Sequence, residues 1–231
     1  MALLYEVAFT GDATRADAVR EWVYATAAAR WPRLGGLAAL DIYRPACGDA
    51  HDPFNADSGG PLLIVMADFA RADAHAAARS KLEDDLNSLP SGVGVTLSAL
   101  ERRFHAVAGE TSPAPLTAAF SYVVRYHRPA EDEAAFVANY VATHPPTLAR
   151  LPHIRSIMCY FPLPASRAAA PAHCPAADYM IGNEVAFDTV AEFNAAMQSP
   201  IRRELRAHFE AFPRFSGRVT HYPMQRTRLV G

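Results

Sequence analysis

Two short stretches carry side chains that could do proton chemistry. In Asn139-Tyr-Val-Ala-Thr-His-Pro-Pro146, His144 follows Tyr140 by four residues and precedes two prolines. A helix puts residues four apart on one face, and a proline pair predicts that the helix ends there, because proline lacks an N–H and disfavours helix in the residue before it. Two roles suit His144. One is a general acid/base poised near neutral pH and facing a cavity. The other is a helix-end histidine that bonds a carbonyl and is held cationic by the helix dipole. In Ser121-Tyr-Val-Val-Arg-Tyr-His127, strand alternation sets Ser121, Val123, Arg125 and His127 on one face and Tyr122, Val124 and Tyr126 on the other. An Arg and a His on one strand face suit an anion or a carbonyl.

Further candidates lie on later strands. Asn183 and Glu184 interrupt the apolar run Met180-Ile-Gly-Asn-Glu-Val-Ala-Phe187. A buried carboxylate needs a partner, so Glu184 is expected either to pair with Arg125 on a neighbouring strand or to act as an acid of raised pKa. His221 and Tyr222 are adjacent, so at most one of them lines a given pocket. The candidate catalytic set is therefore His144, Arg125 and Tyr140. The candidate substrate-binding set is Glu184, His127, Tyr160 and His221.

The elements that must position these residues occur twice. Strands are expected at Leu3–Phe9 and Phe120–Tyr126, each followed by an amphipathic helical pattern: Ala18, Val19, Trp22 and Val23, then Phe136, Val137, Tyr140 and Val141. Strands at Leu37–Tyr43 and Ile154–Phe161 lead into Pro- and Ala-rich loops, Pro45–Pro61 and Pro162–Ala177. A third strand, a second helix (about Asp73–Leu86 and Val190–Phe209) and a closing strand (near Val93–Val107 and Gly217–Thr227) complete each half. One constant shift relates Trp22 to Tyr140, Tyr43 to Phe161 and Phe69 to Phe187. This predicts two ferredoxin-like strand–helix–strand–strand–helix–strand units, 1–108 and 116–231, joined by Gly109–Leu116. Each unit has a bare sheet face, and two units can cover it by packing sheet against sheet, giving an α+β barrel within one chain.

Composition narrows the class. The 231 residues are 51% hydrophobic and 20% charged, with a net charge of −2. This is a core-forming chain without the basic stripe of a nucleic-acid binder. No apolar run approaches the ~20 residues of a membrane span, and the start lacks a signal-peptide pattern, so a cytoplasmic protein is expected. Cys47, Cys159 and Cys174 form no CxxC pair and are expected as free thiols. The loop residues Cys47, His51, Asp52, His173 and Cys174 match no zinc spacing. They are expected at a pocket rim rather than on a metal. No phosphate loop, nucleophile elbow or HExxH element occurs, and no cofactor is expected.

The run Phe136-x-x-x-Tyr140-x-x-x-His144-Pro145, followed by Leu151-Pro152-x-Ile154, resembles the signature of the EthD family of dimeric α+β barrel proteins. Phe187–Pro200 resembles that family's second helix. Tyr140 stands where the family usually has Trp, and His153 where Gly is usual. The first half lacks the motif, with Thr26 and Ala27 at the places of His144 and Pro145. The resemblance implies a small-molecule protein whose functional histidine lies in the second half, the first half being a structural partner. It suits an isomerase, cyclase, dehydratase or cofactor-free monooxygenase acting as a monomer or homodimer. A non-catalytic ligand-binding protein, or a haem-handling barrel with His144 as axial ligand, are the competing expectations.

Overall fold

The computed structural model describes residues 2–46, 48–54, 60–164 and 170–231. Among the described residues the elements run β1 Ala2–Gly11, α1 Ala16–Trp22, α2 Ala28–Arg30, β2 Leu37–Pro45, β3 Leu63–Phe69, α3 Ala72–Leu86, β4 Val93–His105, β5 Phe120–His127, α4 Glu133–Leu148, β6 Ser156–Pro162, β7 Tyr179–Phe187, α5 Val190–Gln198, α6 Pro200–Glu210 and β8 Val219–Val230. A π-helical segment, Val23–Ala27, joins α1 to α2.

The strands close into one antiparallel barrel, ordered β1-β3-β2-β8-β5-β7-β6-β4. Residues 2–105 therefore contribute the order β4-β1-β3-β2, and residues 120–230 the matching order β8-β5-β7-β6. The sequence suggests two sheets laid face to face. In the structure their edges are also hydrogen-bonded, β2 to β8 and β4 to β6, so no edge is left open. Closure removes the unpaired N–H and C=O rows that an edge strand would expose.

Strand alternation sorts the side chains into three layers. Leu4, Tyr43, Ile64, Leu100, Val123, Met158, Ala186 and Met224, one from each strand, meet inside the barrel. Tyr5, Val7 and Phe9 point out under α1 and α3, with Trp22 and Trp31. Tyr122, Val124 and Tyr126 point out under α4, α5 and α6, with Phe136, Tyr140 and Phe193. Both strand faces are thus buried, and β3, β5 and β7 are buried along their whole lengths. Among the described residues no helix is long and apolar enough to cross a membrane.

Two helix boundaries differ from those the prolines and periodicity suggest. Helix α4 does not stop at Pro145 but runs through both prolines to Leu148. The prolines leave the carbonyls of Val141 and Ala142 without their helical N–H donors. The turn is nevertheless continued: the Ala149 N–H donates to the Pro145 carbonyl at 2.9 Å, and the fixed φ of proline suits the start of such a turn. The Thr143 and Thr147 hydroxyls bond back to the Asn139 and Thr143 carbonyls. The second difference lies at Ser199, where one expected helix is two. Pro200 forces the residue before it into extended backbone, and Ser199 has ψ 158°. His153, which stands where the resembled family usually has Gly, has φ 62°, a left-handed conformation that glycine adopts without strain.

Candidate active site

A cavity of about 290 Å³ lies between α4, α6 and the outer face of β5, β7 and β8. That is the small end of ligand sites, ~300–1,000 Å³. Its walls are Tyr122, Val124 and Tyr126 of β5, Asn183 and Val185 of β7, and Phe209 and Leu205 of α6, with His144 on α4. The strand residues arrive there by alternation: the odd-numbered face of β5 turns into the barrel and the even-numbered face onto the cavity.

His144 is only 6% exposed and sits against the rings of Tyr140 and Phe212, with centroids at 4.8 and 5.4 Å. Its Nδ1 is buried without a hydrogen-bond partner. Nε2 is the ring nitrogen left open to the cavity. Burial lowers the pKa to about 3, with the charges of His208, Arg202 and His221 acting in the same direction. This corrects the expectation of a histidine poised near neutral pH. Burial and the neighbouring positive charges favour the neutral imidazole.

The other candidates divide between two places. His221 lines the same cavity and lies 5.8 Å from the Tyr122 ring. Tyr222, its neighbour, points the opposite way as alternation requires. Tyr140 is fully buried behind His144 rather than on the cavity wall, and its hydroxyl accepts from Asn183 Nδ2. Burial raises its pKa well above the usual tyrosine value, which leaves it a poor proton donor to a ligand it does not touch.

Arg125, Glu184 and Tyr160 lie inside the barrel, and His127 lies at its mouth, all across the sheet from His144. The expected Glu184–Arg125 pair does not form. Arg125 Nη2 pairs with Glu6 of β1, and Nη1 donates to the Val124 and Asn183 carbonyls. Glu184 is instead surrounded by hydroxyls, from Ser121 and Tyr160 at 2.5 Å and Tyr43 at 3.3 Å. The physical reason is reach: the barrel brings β1 opposite β5, so Arg125 crosses the interior to Glu6 rather than bending to its own neighbour. Burial raises the Glu184 pKa. Arg125 and His127 line a second cavity of about 580 Å³ at the barrel mouth. There the polar groups serve one another: Glu6 accepts from Arg125 and from Tyr179 at 2.9 Å, and His127 pairs with Asp178. Arg125 Nε is left without a partner there, and at the His144 cavity the same holds for His144 Nδ1 and Asn183 Oδ1.

The loops behave differently from each other. Asp52 reaches the second half and pairs with Arg202 of α6, whereas His173 bonds the Glu83 carbonyl and Cys174 packs in the first half's core. Cys47 and parts of both loops lie outside the described residues. Cys159 and Cys174 are buried free thiols, pushed up to about 12 and about 11 by burial. Among the described residues no group of three His, Cys, Asp or Glu could hold a metal ion. Arg202, Tyr122 and Tyr126, and Asn183, which the sequence singles out without a role, lie outside the candidate catalytic and substrate-binding sets. The alternation of β5 and the Asn beside Glu184 were the signals that could have found three of them; nothing in the sequence tied Arg202 to the site.

No protein-family model matches this chain, and no curated protein matches it in sequence. Solved structures share its fold. An anthrone oxidase-like protein superposes with a TM-score of 0.63 at 11% identity, over 99% of this chain and 93% of that one. A candidate monooxygenase from Lactobacillus acidophilus gives 0.53 at 11% identity, over 98% and 95%. Another from Fusobacterium nucleatum gives 0.55 at 8% identity, over 98% and 93%. At these identities the likeness concerns the fold alone.

Proposed function

We propose that this chain is an EthD-like small-molecule enzyme that performs acid–base chemistry, without a bound cofactor, on a small apolar or aromatic substrate, with His144 as the base. One observation carries the reading: a neutral histidine on the wall of an aromatic-lined cavity, with Nε2 open to it. The three solved barrels bear oxidase and monooxygenase names, and a small-molecule role accords with them. The reading takes the chain as two ferredoxin-like repeats in a monomer or homodimer of the cytoplasm; the shared strand order of the two halves supports the repeat.

The environment of His144 selects the kind of proton transfer. With its ring proton on Nδ1, the Nε2 lone pair takes a proton from an acidified C–H or O–H of the substrate, and the bonding electrons stay behind as an enolate or phenolate. The imidazolium so formed is a strong acid in this cavity. Only the anion beside it stabilises it, by raising its pKa again. The proton is therefore returned, to the same or another atom of the substrate. That sequence suits isomerisation, cyclisation or dehydration.

Proton exchange tests this directly. An enolisable aromatic ketone such as 2-tetralone, followed by NMR in heavy water, should exchange its α-protons faster with the protein than in buffer, and His144→Gln should abolish the acceleration while the ketone still binds. Binding with no exchange in the wild type would replace the enzyme reading by the ligand-carrier one.

A further inference from the structure

The wall of the His144 cavity is held by a residue from the other half of the chain. Asp52 accepts from one edge of the Arg202 guanidinium, Nη2 at 2.8 Å and Nε at 3.1 Å, and from the Tyr122 hydroxyl at 2.7 Å. Arg202 and Tyr122 both line the cavity. The Asp52 side chain is 3% exposed and that of Arg202 11%. The segment around Asp52 is docked rather than loose. The His51 N–H donates to Asn194 Oδ1 at 2.9 Å, Asn194 Nδ2 donates to the Asp49 carbonyl at 2.7 Å, and the Phe54 ring lies 4.9 Å from the Arg202 guanidinium.

We infer that Asp52 is a specificity residue: by occupying the carboxylate-binding fork of Arg202, it makes the His144 cavity a site for uncharged aromatic molecules and turns away carboxylates and sulfonates. The inference rests on the reading of that cavity as a ligand site. An edge of a guanidinium fits one carboxylate in a bidentate manner, and Asp52 fills the Nε–Nη2 edge and pairs the charge of the group. A ligand anion would have to displace a carboxylate tethered beside its partner and leave it buried without compensation, which is costly. The other arginine on the wall, Arg206, pairs with Glu210 in a half-exposed contact that contributes little to the field inside. An uncharged substrate also accords with a base that creates its own anion in place.

The test uses two probes of one shape, 2-naphthol, uncharged at neutral pH, and naphthalene-2-sulfonate, an anion, titrated calorimetrically into the full chain. Wild type should bind the naphthol more tightly. Asp52→Asn keeps an acceptor for Tyr122 but frees the Arg202 charge. It should tighten sulfonate binding by about tenfold, the scale of one charge-assisted hydrogen bond, with naphthol almost unchanged. Arg202→Gln added to Asp52→Asn should erase the gain. Equal binding of both probes by wild type, a parallel change for both in Asp52→Asn, or a gain that survives loss of Arg202 would each overturn the inference. Where Asp52→Asn does not fold, the wild-type preference decides alone. The ligand-site reading fails separately: neither probe binds wild type, or binding survives filling of the cavity by Val185→Phe. That outcome removes the inference with it.

Discussion

Acidification should destabilise this protein through His144, by an amount that can be worked out. In the unfolded chain the imidazole has its ordinary value of 6.5; in the folded chain burial holds it near 3. A folded pKa below the unfolded one means that, between those values, the unfolded chain binds more protons. Stability is therefore intact above about pH 6.5 and is lost as the pH falls toward 3. At pH 5 the unfolded chain is almost fully protonated at this site and the folded chain almost not at all. One pKa unit is worth ~1.36 kcal/mol, so the loss between pH 8 and pH 5 is about 2 kcal/mol. For a chain of this length that lowers the thermal midpoint by about 4–8 °C.

The variant that isolates this contribution is His144→Gln, which cannot titrate. His75, His105 and His127 also have lowered pKa values, chiefly through burial. They titrate in both proteins and cancel in the comparison. Scanning calorimetry at pH 8 and pH 5 should show wild type losing about 4–8 °C more than His144→Gln. If both proteins lose the same amount, His144 is solvated or already paired, and the neutral-base argument falls with it.

The barrel interior gives two further expectations. Arg125→Met leaves Glu6 buried without a cation and should cost ~3–5 kcal/mol in urea unfolding, with 2-naphthol affinity in the surviving folded protein unchanged, because Arg125 lies across the sheet from the cavity. Gly182→Ala should destabilise by the same route: a Cβ there would stand 2.8 Å from Arg125 Cδ and Nη1, and the guanidinium, held 4.7 Å from the Tyr160 ring and 5.6 Å from the Tyr179 ring, has no room to yield. A Gly182→Ala protein with wild-type urea midpoint would show that the Arg125 side chain is not fixed.

The order of strands and helices was legible because periodicity survives in every element. The face of β5 occupied by Tyr122, Val124 and Tyr126 could be separated from the face of Ser121 and Arg125 by alternation alone. Which of the two lines the cavity beside His144 could not. Helices cover the outside of the barrel and other strands its inside, so neither face is marked by exposure, and a charged residue such as Arg125 marks the interior instead of a site. The proline pair after His144 misled for a related reason. Local backbone preference favours ending the helix, but Pro145, Thr147 and Leu148 are buried, and packing of that last turn outweighs two lost hydrogen bonds. The contact between Asp52 and Arg202 joins residues 150 apart through a loop with no periodicity, so nothing local announced it.

The two halves differ most where the cavity lies, and the difference bears on why His144 is there. In the first half Trp31 is fully buried and bonds Asp85, and Trp22 bonds Ser88, so large rings fill the space under the helices. By the constant shift that relates Trp22 to Tyr140, Trp31 corresponds to Ala149 and Thr26 to His144. Thr26 is as buried as His144, at 7% against 6%. The fold thus accepts a small hydroxyl at this place and does not need an imidazole. The histidine leaves Nδ1 unpartnered and gives up its charge, both of which lower stability. The chain bears that loss in the half whose helix–sheet space holds the His144 cavity, and has Thr26 at the corresponding place of the half where Trp22 and Trp31 pack under the helices. On the function proposed above, that opening is what a base needs in order to reach a ligand.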